Sequence, residues 1–174
     1  EDSPLKLVFA GDILLSDHVL GAYRKAGNIG GVVDSGFRQV IDGSDIFMAN
    51  EEFPFSRRGT AAADKQFTFR LPPEHVSMFQ ELGIDIVTLA NNHALDFGTD
   101  ALLDTCSTLD DAGILRVGAG ANLEEAKKPV FMEAKGRRIG FLGASRVIPE
   151  GSWNATSKGP GMLTTYDPSL LLEE

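Results

Sequence analysis

The sequence predicts an α/β fold in which a mostly parallel sheet is flanked by helices. Short apolar runs alternate along the chain with longer segments of helical spacing, as in folds whose strands are joined by helices. Residues 84–90 are β-branched and almost wholly apolar, as a strand is when both faces of its sheet are covered. The chain has 174 residues, the length of about one domain. We therefore treat residues 1–174 as a single domain.

Two segments carry clear local signals for the ends of an element. Residues 5–10 are mostly apolar and stop at Gly11-Asp12, which predicts a short buried strand. Pro72-Pro73 opens a segment of helical spacing that stops at Gly83. Because proline fits the first turn of a helix and glycine its end, a helix is predicted between them.

The remaining elements follow from the spacing of apolar residues. In the first half of the chain this spacing predicts helices at 14–26 and 32–41, a strand at 45–50 and a half-exposed strand at 66–71. In the second half it predicts a helix at 98–112, a strand at 114–117, a brief helix at 122–127 and the beginning of a helix at 167–174. Lys135-Gly136-Arg137 predicts a glycine turn that joins strands 130–134 and 138–142 into a hairpin.

Composition and charge exclude several classes of protein. Hydrophobic residues make up 43% and charged residues 24% of the chain, which is ordinary for a globular protein. No uncharged apolar run approaches the ~20 residues that a membrane span needs. The net charge of −9 argues against a nucleic-acid partner, whose phosphates need a cationic face. A small anionic substrate remains possible if a local feature such as a metal supplies positive charge.

Polar groups follow three of the predicted strands, where a core has no use for them. They are Gly11-Asp12 after the first strand, Asn50-Glu51-Glu52 after the second, and Asn91-Asn92-His93 with Asp96 after the third. The carboxyl ends of parallel strands lie along one edge of the sheet, where ligands bind in open α/β folds. We therefore expect these groups to converge. Mixed oxygen and nitrogen ligands suit Mn²⁺, Zn²⁺, Fe or Mg²⁺.

Each of these residues also has an explanation that involves no ligand. Asp12 could cap the following helix, and Glu51 with Glu52 could be a solvated pair in a loop. Residues 91–96 are harder to explain as a turn, because they combine two amides, an imidazole and a carboxylate. His18 and His75 lie on helical stretches and are interpreted as surface or packing residues.

The glycines at Gly118-Ala119-Gly120 raise the alternative of a nucleotide-binding loop. However, Leu123 stands where the third glycine of that motif is expected, and no acidic residue follows close to 20 positions later. We interpret these glycines as a tight turn between a strand and a helix.

The motifs together resemble the bacterial capsule-synthesis proteins of the CapA type. The matching segments are residues 11–12, 49–54, 67–70 and 89–98. That family is associated with poly-γ-glutamate capsules and is similar to the calcineurin-like metallophosphoesterases. The resemblance covers nearly the whole chain, and its most specific element is Asn-Asn-His-x-x-Asp-x-Gly. It implies a metallophosphoesterase-like sheet flanked by helices.

The resemblance also implies a set of metal ligands. Asp12, Glu52 and Asn92 would hold divalent metal ions, Asn92 through its amide oxygen. Glu51 stands where the family pattern has an apolar residue, so Glu52 is preferred as the ligand. Two such ions ~3.5–4 Å apart would neutralise a phosphoryl group and activate a water molecule.

Further residues would act on the substrate. His93 and Asp96 are the implied catalytic residues, and the imidazole of His93 could protonate the departing alkoxide. Asn50, Asn91 and Arg70 would line the same pocket. Arg70 could hold a carboxylate or phosphate through two hydrogen bonds.

Two functions follow from the resemblance. The first is metal-dependent hydrolysis of a phosphoester or another anionic bond at the cell envelope. The second is a non-catalytic accessory that holds or passes on an anionic polymer. Other capsule-synthesis membrane proteins are the partners that the resemblance implies. Residues 1–4 are a polar stretch without an initiator Met, as in a chain whose signal or anchor has been removed. We expect a location on the extracellular face of the envelope, with membrane attachment only through an anchor absent from this chain.

The sequence departs from the family pattern in one respect. The metallophosphatase pattern ends in histidines on later strands, whereas this chain has no histidine after His93. We interpret the chain as truncated at its C-terminus or its metal site as incomplete. We therefore expect this chain to bind metal weakly and to show little phosphatase activity.

Overall fold

A four-stranded parallel sheet forms the centre of the fold. The computed structural model describes residues 3–172. The strands are adjacent in chain order and all three pairings are parallel. They are β1 (Leu7–Ile13), β2 (Ile46–Glu51), β3 (Ile86–Thr88) and β4 (Leu115–Val117). Their carboxyl ends therefore lie along one edge, as the sequence predicts.

The other elements connect or cover this sheet. Antiparallel pairs are formed by β5 (Ala119–Gly120) with β8 (Gly161–Met162), and by β6 (Val130–Ala134) with β7 (Arg137–Phe141). The helices are α1 (Asp17–Ala26), α2 (Ser35–Asp42), α3 (Val76–Leu82), α4 (Thr99–Asp111), α5 (Leu123–Lys127) and α6 (Ser169–Leu172). Short 3₁₀ turns occupy Ile29–Gly31, Pro73–His75 and Gly151–Trp153. Residues 1–2, and the end of the helix predicted at 167–174, lie outside the described residues. No helix in the described part of the chain has the length and apolar character needed to cross a membrane.

The two faces of the sheet are covered differently. Helices α1 to α4 pack on one face and supply most of the larger core, in which Phe53, Phe55 and Phe79 meet edge to face with ring centroids 4.9–5.9 Å apart. Such aromatic pairs add stability beyond the area that they bury. On the other face, the β6–β7 hairpin covers a smaller cluster around Ile86 and Phe141. The sheet is thus covered on both faces, by helices on one and by a hairpin on the other.

The helix ends follow the local signals of the sequence. The side chain of Ser16 accepts a hydrogen bond from the Val19 amide and caps α1, so the alternative role of Asp12 as a cap is wrong. Gly83 ends α3 with φ of 84°, a left-handed conformation that glycine adopts without strain. The turn at Gly118 is also confirmed. A Cβ atom there would lie 2.6 Å from the Cβ of Ala90, so only glycine fits.

Two predictions about strands are wrong. Residues 66–71 form no strand, and only Leu71 makes an isolated bridge, to Phe55. The backbone of this segment is instead fixed by a side chain, since the Phe69 amide donates to Asp96. The first strand is an edge strand rather than a buried one, and Phe9 is 62% exposed. This strand also continues through Gly11-Asp12, because a bulge after Phe9 restores its pairing with β2.

Candidate functional site

The bulge in β1 brings Asp12 to the end of β2. The register of the two strands shifts between Phe9 and Asp12, so that Asp12 pairs with Asn50 and Ile13 with Glu51. A bulge re-aims side chains and is common beside functional sites. On its other side, Asn50 pairs with Thr88 of β3. The ends of three strands therefore meet around Asn50.

The side-chain amide of Asn50 joins two carboxylates. Its Nδ2 donates to Asp12 Oδ1 at 2.8 Å and to Glu52 Oε1 at 3.2 Å, and its Oδ1 accepts from Asn91 Nδ2 at 2.9 Å. We call Asp12, Asn50, Glu52 and Asn91 the Asn50 cluster. Neither carboxylate forms an ion pair with a cation among residues 3–172. Two negative groups thus converge on a neutral amide without a counter-charge from the described part of the protein.

Asn91 connects this cluster to the next one. Its Nδ2 also donates to the Glu51 carbonyl at 2.7 Å, and its Oδ1 accepts from the His93 amide at 2.9 Å. With 5% of its surface exposed, Asn91 uses its amide to fix the backbones of two strand ends. A contact between Asn91 and a substrate stays a prediction.

A second, buried cluster surrounds Asp96. The Oδ2 atom of Asp96 accepts from the Phe69 amide at 2.7 Å and lies 2.8 Å from His93 Nδ1, while Oδ1 accepts from Lys65. The Lys65 ammonium also donates to the Asn92 carbonyl and lies 2.9 Å from His93 Nδ1. We call Lys65, His93 and Asp96 the Lys65 cluster. Its carboxylate is fully buried but is compensated by a cation and by neutral donors.

The imidazole of His93 is fixed on all but one side. The ring of Phe69 lies against it with centroids 4.6 Å apart, and Nδ1 faces Asp96 and Lys65. No residue in the described part of the chain bonds to Nε2. This nitrogen is therefore the one that could meet a ligand.

Sequence reasoning missed Lys65. It lies in a segment without regular secondary structure, 28 positions before His93 along the chain. Neither apolar spacing nor a strand end marked it. No feature of the sequence would have found it, because its partners are brought to it only by the tertiary fold.

Asn92 has a free side chain next to both clusters. Its carbonyl accepts from Lys65, but its half-buried side-chain amide has no hydrogen-bond partner among the described residues. Asn92 is therefore available as a ligand through its amide oxygen, which remains a prediction.

Arg70 forms its hydrogen bonds outside the Asn50 cluster. Its NH1 donates to the carbonyls of Arg58 and Gly59, and its guanidinium stacks on Phe97 at 4.1 Å. Arg70 lines a groove of about 480 Å³ that also contains Arg24 and Phe69. Because Phe69 also packs on His93, the groove begins beside the Lys65 cluster. Binding of an anion by Arg70 stays a prediction.

Glu51 and Glu52 differ sharply although they are neighbours. Glu51 is buried, and neither of its carboxylate oxygens has a partner in the described structure. Burial holds the pKa of Glu51 well above its ordinary value, which favours the uncharged acid. The interpretation of the two as a solvated pair is wrong for Glu51, because that side chain points into the core. Glu52 is the acid that reaches Asn50.

The described residues offer only part of a metal site. Within residues 3–172, no group of three or more His, Cys, Asp or Glu side chains is arranged to hold a metal ion. Asp12 and Glu52 nevertheless form a convergent oxygen pair, the kind of donor that Mg²⁺ and Mn²⁺ accept. The donor chemistry fits a divalent ion, and the Asn92 amide offers a further oxygen without a hydrogen-bond partner among the described residues.

Comparison with known proteins identifies the family. The model of the family described as "Bacterial capsule synthesis protein PGA_cap" matches residues 6–169. This range includes every residue of both clusters. The chain belongs to this family. The resemblance to capsule-synthesis proteins of the CapA type is thereby confirmed.

The individual proteins to which this chain is similar carry names that agree with this family. The chain is 30% identical to the capsule biosynthesis protein CapA of Bacillus anthracis over 180 residues, covering 100% of this chain and 42% of the relative. It is 29% identical to the PGA biosynthesis protein CapA of Bacillus subtilis over 176 residues, covering 98% and 44%. A probable polyglutamine synthesis accessory protein of Mycobacterium tuberculosis is 35% identical over 130 residues, covering 72% and 34%. The chain thus spans less than half the length of these curated relatives.

Proposed function

We propose that this chain acts in poly-γ-glutamate capsule biosynthesis as a metal-dependent hydrolase of a phosphoester or another anionic bond. The observation that carries this proposal is the convergence of Asp12 and Glu52 on Asn50, at the strand-end edge that also leads to His93. A purely structural pair of carboxylates would gain from a nearby lysine or arginine, and the described residues provide none. The family membership supports the capsule role. The extracellular face of the cell envelope is proposed as the site of action.

Asp12 and Glu52, with the amide oxygen of Asn92, would hold the ion. A divalent ion there would supply the positive charge that an acidic chain lacks for an anionic substrate, and would activate a water molecule. Asn50 fixes both carboxylates, so that neither needs to reorganise when the ion binds.

His93 would handle the proton. Asp96 holds Nδ1, so Nε2 can take up a proton and deliver it to the departing oxygen. The burial of this cluster excludes water from the Nδ1 side. Arg70 and Arg24, in the adjacent groove, would attract the anionic part of the substrate.

Turnover of an aryl phosphate with Mn²⁺ by the full-length protein tests the enzyme. We expect His93→Ala and Asp12→Asn each to lower kcat by at least about 100-fold, the lower range of general acid–base catalysis. His18→Ala is the control, because His18 is an exposed histidine on α1 outside both clusters, and it should keep full activity. Equal activity in His93→Ala and His18→Ala would contradict the proposed role of His93.

A second candidate is a non-catalytic accessory that binds an anionic polymer. The absence of three grouped acid, histidine or cysteine side chains within residues 3–172 favours it, as does the word "accessory" in the name of the mycobacterial relative. Binding of poly-γ-glutamate without turnover of any phosphoester, unaffected by His93→Ala, would support this function over the hydrolase.

A further inference from the structure

We propose that this chain binds an amphiphilic anion, a phosphate monoester of an apolar alcohol. The apolar group lies in a cavity beside Asp12, and the charged head lies in the groove that contains Arg24 and Arg70. The apolar part of this inference depends on the cavity alone, whereas the choice of a phosphate as the head rests on the proposed function. Hydrolysis of such an ester would add water to the phosphorus and release the apolar alcohol together with inorganic phosphate.

An apolar cavity of about 240 Å³ lies between the end of β1 and helices α1 to α3. Of the described residues that line it, all but Asp12 are apolar. The cavity reaches the surface, since Phe37 in its lining is 39% exposed. A cavity of roughly 150 Å³ lined by similar residues holds a benzene molecule. This one therefore has room for a somewhat larger apolar group.

Asp12 joins this cavity to the Asn50 cluster. It is the only charged residue among the described residues that line the cavity, and its carboxylate accepts from Asn50 Nδ2. Small-molecule sites typically combine a mostly apolar lining with a few polar groups that orient the ligand. A ligand in this cavity therefore extends its apolar group away from the proposed metal ligands.

The charge of the head follows from the neighbouring groove of about 480 Å³. Leu14 and Leu15 line both spaces, so the cavity and the groove are adjacent. In its described lining the groove holds two arginines, Arg24 and Arg70, against a single carboxylate, that of Asp17. On a chain with a net charge of −9, this local excess of positive charge favours an anionic head.

Both arginines have donors without a partner. Arg24 forms no ion pair within residues 3–172. Arg70 uses only NH1 in its hydrogen bonds to backbone carbonyls, so its Nε and NH2 donors have no partner in the described structure. These two donors lie side by side, the geometry that holds a phosphate through two hydrogen bonds.

The simpler alternative is that the cavity is only loose packing between the helices. Such a cavity would accept any small apolar molecule and would have no preference for a charged head. An amphiphilic anion should instead gain affinity from its chain and from its head. The two explanations therefore differ in whether both parts of the ligand contribute.

Titration calorimetry of the metal-free chain separates the two contributions. Each buried CH₂ is worth roughly a fourfold gain in affinity, so we expect octyl phosphate to bind at least about 10-fold tighter than butyl phosphate. We expect a similar factor over octanol and octylammonium, on the order of one hydrogen bond to a charged group. Arg24→Met should weaken the binding of octyl phosphate about threefold, as for an exposed ion pair. Lys25→Met, at the next position of α1 and outside the groove, should leave it unchanged.

Methyl NMR of methionine shows where the chain binds. Labelling with ¹³C-methyl methionine gives four signals; Met78 lines the cavity and Met132 lies on β6. We expect octyl phosphate to shift the Met78 signal, which Met78→Leu assigns, and to leave that of Met132 in place. Val32→Phe, which fills the cavity, should abolish this shift and the preference for octyl over butyl phosphate. Val40→Phe, on α2 but outside the cavity, should change neither.

The outcomes separate this inference from the proposed function. Equal affinity for butyl and octyl phosphate overturns it, as does binding that leaves the Met78 signal unshifted. Octanol or octylammonium bound as tightly as octyl phosphate also overturns it, in favour of loose packing. If Val32→Phe fails to fold, the chain-length series and the Met78 signal of the wild type still decide. Absence of phosphoester turnover with Mn²⁺ would count against the hydrolase and leave a positive binding result standing.

Discussion

The Asn50 cluster and the Lys65 cluster lie only a few residues apart, but their carboxylates are compensated in opposite ways. In the Asn50 cluster, two carboxylates share one neutral amide and stay partly open to solvent. In the Lys65 cluster, a single carboxylate is fully buried and meets an ammonium, a backbone amide and an imidazole. The carboxylates of Asp12 and Glu52 can accept further hydrogen bonds. Both oxygens of Asp96 already have partners.

This difference suggests a binding role for the Asn50 cluster and a structural role for the Lys65 cluster. Two neighbouring carboxylates without a counter-charge repel each other unless a cation binds, which supports the proposal that the Asn50 cluster takes a ligand. A buried network whose hydrogen bonds are satisfied is rigid, and the proposed catalytic role of His93 would need such rigid surroundings. The comparison therefore predicts that the Lys65 cluster carries stability and the Asn50 cluster does not.

The largest test of this comparison is Asp96→Ala. Removing the carboxylate leaves the Lys65 ammonium buried without its partner, which typically costs about 3–5 kcal/mol. We expect the free energy of unfolding, measured by urea denaturation, to fall by that amount. Asp100→Ala is the control, since Asp100 forms an exposed ion pair with Arg58. If both variants lost similarly little, Asp96 would not be a structural centre.

Glu51 supplies the counter-example of a buried carboxyl with no partner. Glu51→Met removes an unsatisfied polar group at similar volume, and leaving such a group buried costs about 1–3 kcal/mol. We expect the variant to be more stable by roughly this amount, visible as a higher Tm in calorimetry. A lower Tm would mean that Glu51 has a partner, such as an internal water molecule.

The same carboxyl predicts a dependence of stability on pH. Burial raises the pKa of Glu51 well above its ordinary value of 4.5. As pH rises above 4.5, the unfolded chain loses this proton first while the folded chain retains it, so the free energy of unfolding falls. Denaturation curves should show this decline in the wild type and a smaller one in Glu51→Met. Parallel curves for the two proteins would show that Glu51 ionises alike in both states.

The parts of the candidate site that could be predicted from the sequence are those that follow a predicted strand. The sequence places Asp12, Glu52 and His93 after strands, and the parallel sheet brings those ends to one edge. It does not reveal the bulge after Phe9, because pairing across an irregularity depends on the partner strand. It does not reveal Lys65 either, since a residue in an irregular segment finds its partners only through the tertiary fold. The family pattern favours Glu52 over Glu51 as the ligand. The physical reason is that side chains alternate between the two faces along β2, and Glu51 is on a buried position.

Addition of Mn²⁺ tests directly whether the Asn50 cluster binds an ion. If the Asn50 cluster receives an ion, binding stabilises the folded state, by about 1.4 kcal/mol at ten times Kd. We expect a rise in Tm of a few degrees with saturating Mn²⁺ in the wild type and none in Glu52→Gln. Lys25→Met should respond like the wild type. Because the described residues group few ligands, we expect weak binding, and titration calorimetry giving a sub-micromolar Kd would contradict that expectation.

The smallest expected effect is the one that best distinguishes the two clusters. Asp12→Asn keeps an oxygen that can accept from Asn50 Nδ2 and removes one of two neighbouring negative charges. Without metal, we expect the free energy of unfolding to change by no more than about 0.5 kcal/mol, as for an ordinary surface substitution. A site residue whose loss is neutral or slightly stabilising is one that the fold retains at a cost, for the sake of a ligand. A loss of 2 kcal/mol or more, on the order of a broken buried hydrogen bond, would instead make Asp12 part of the scaffold, and the distinction between an open binding cluster and a closed supporting cluster would not hold.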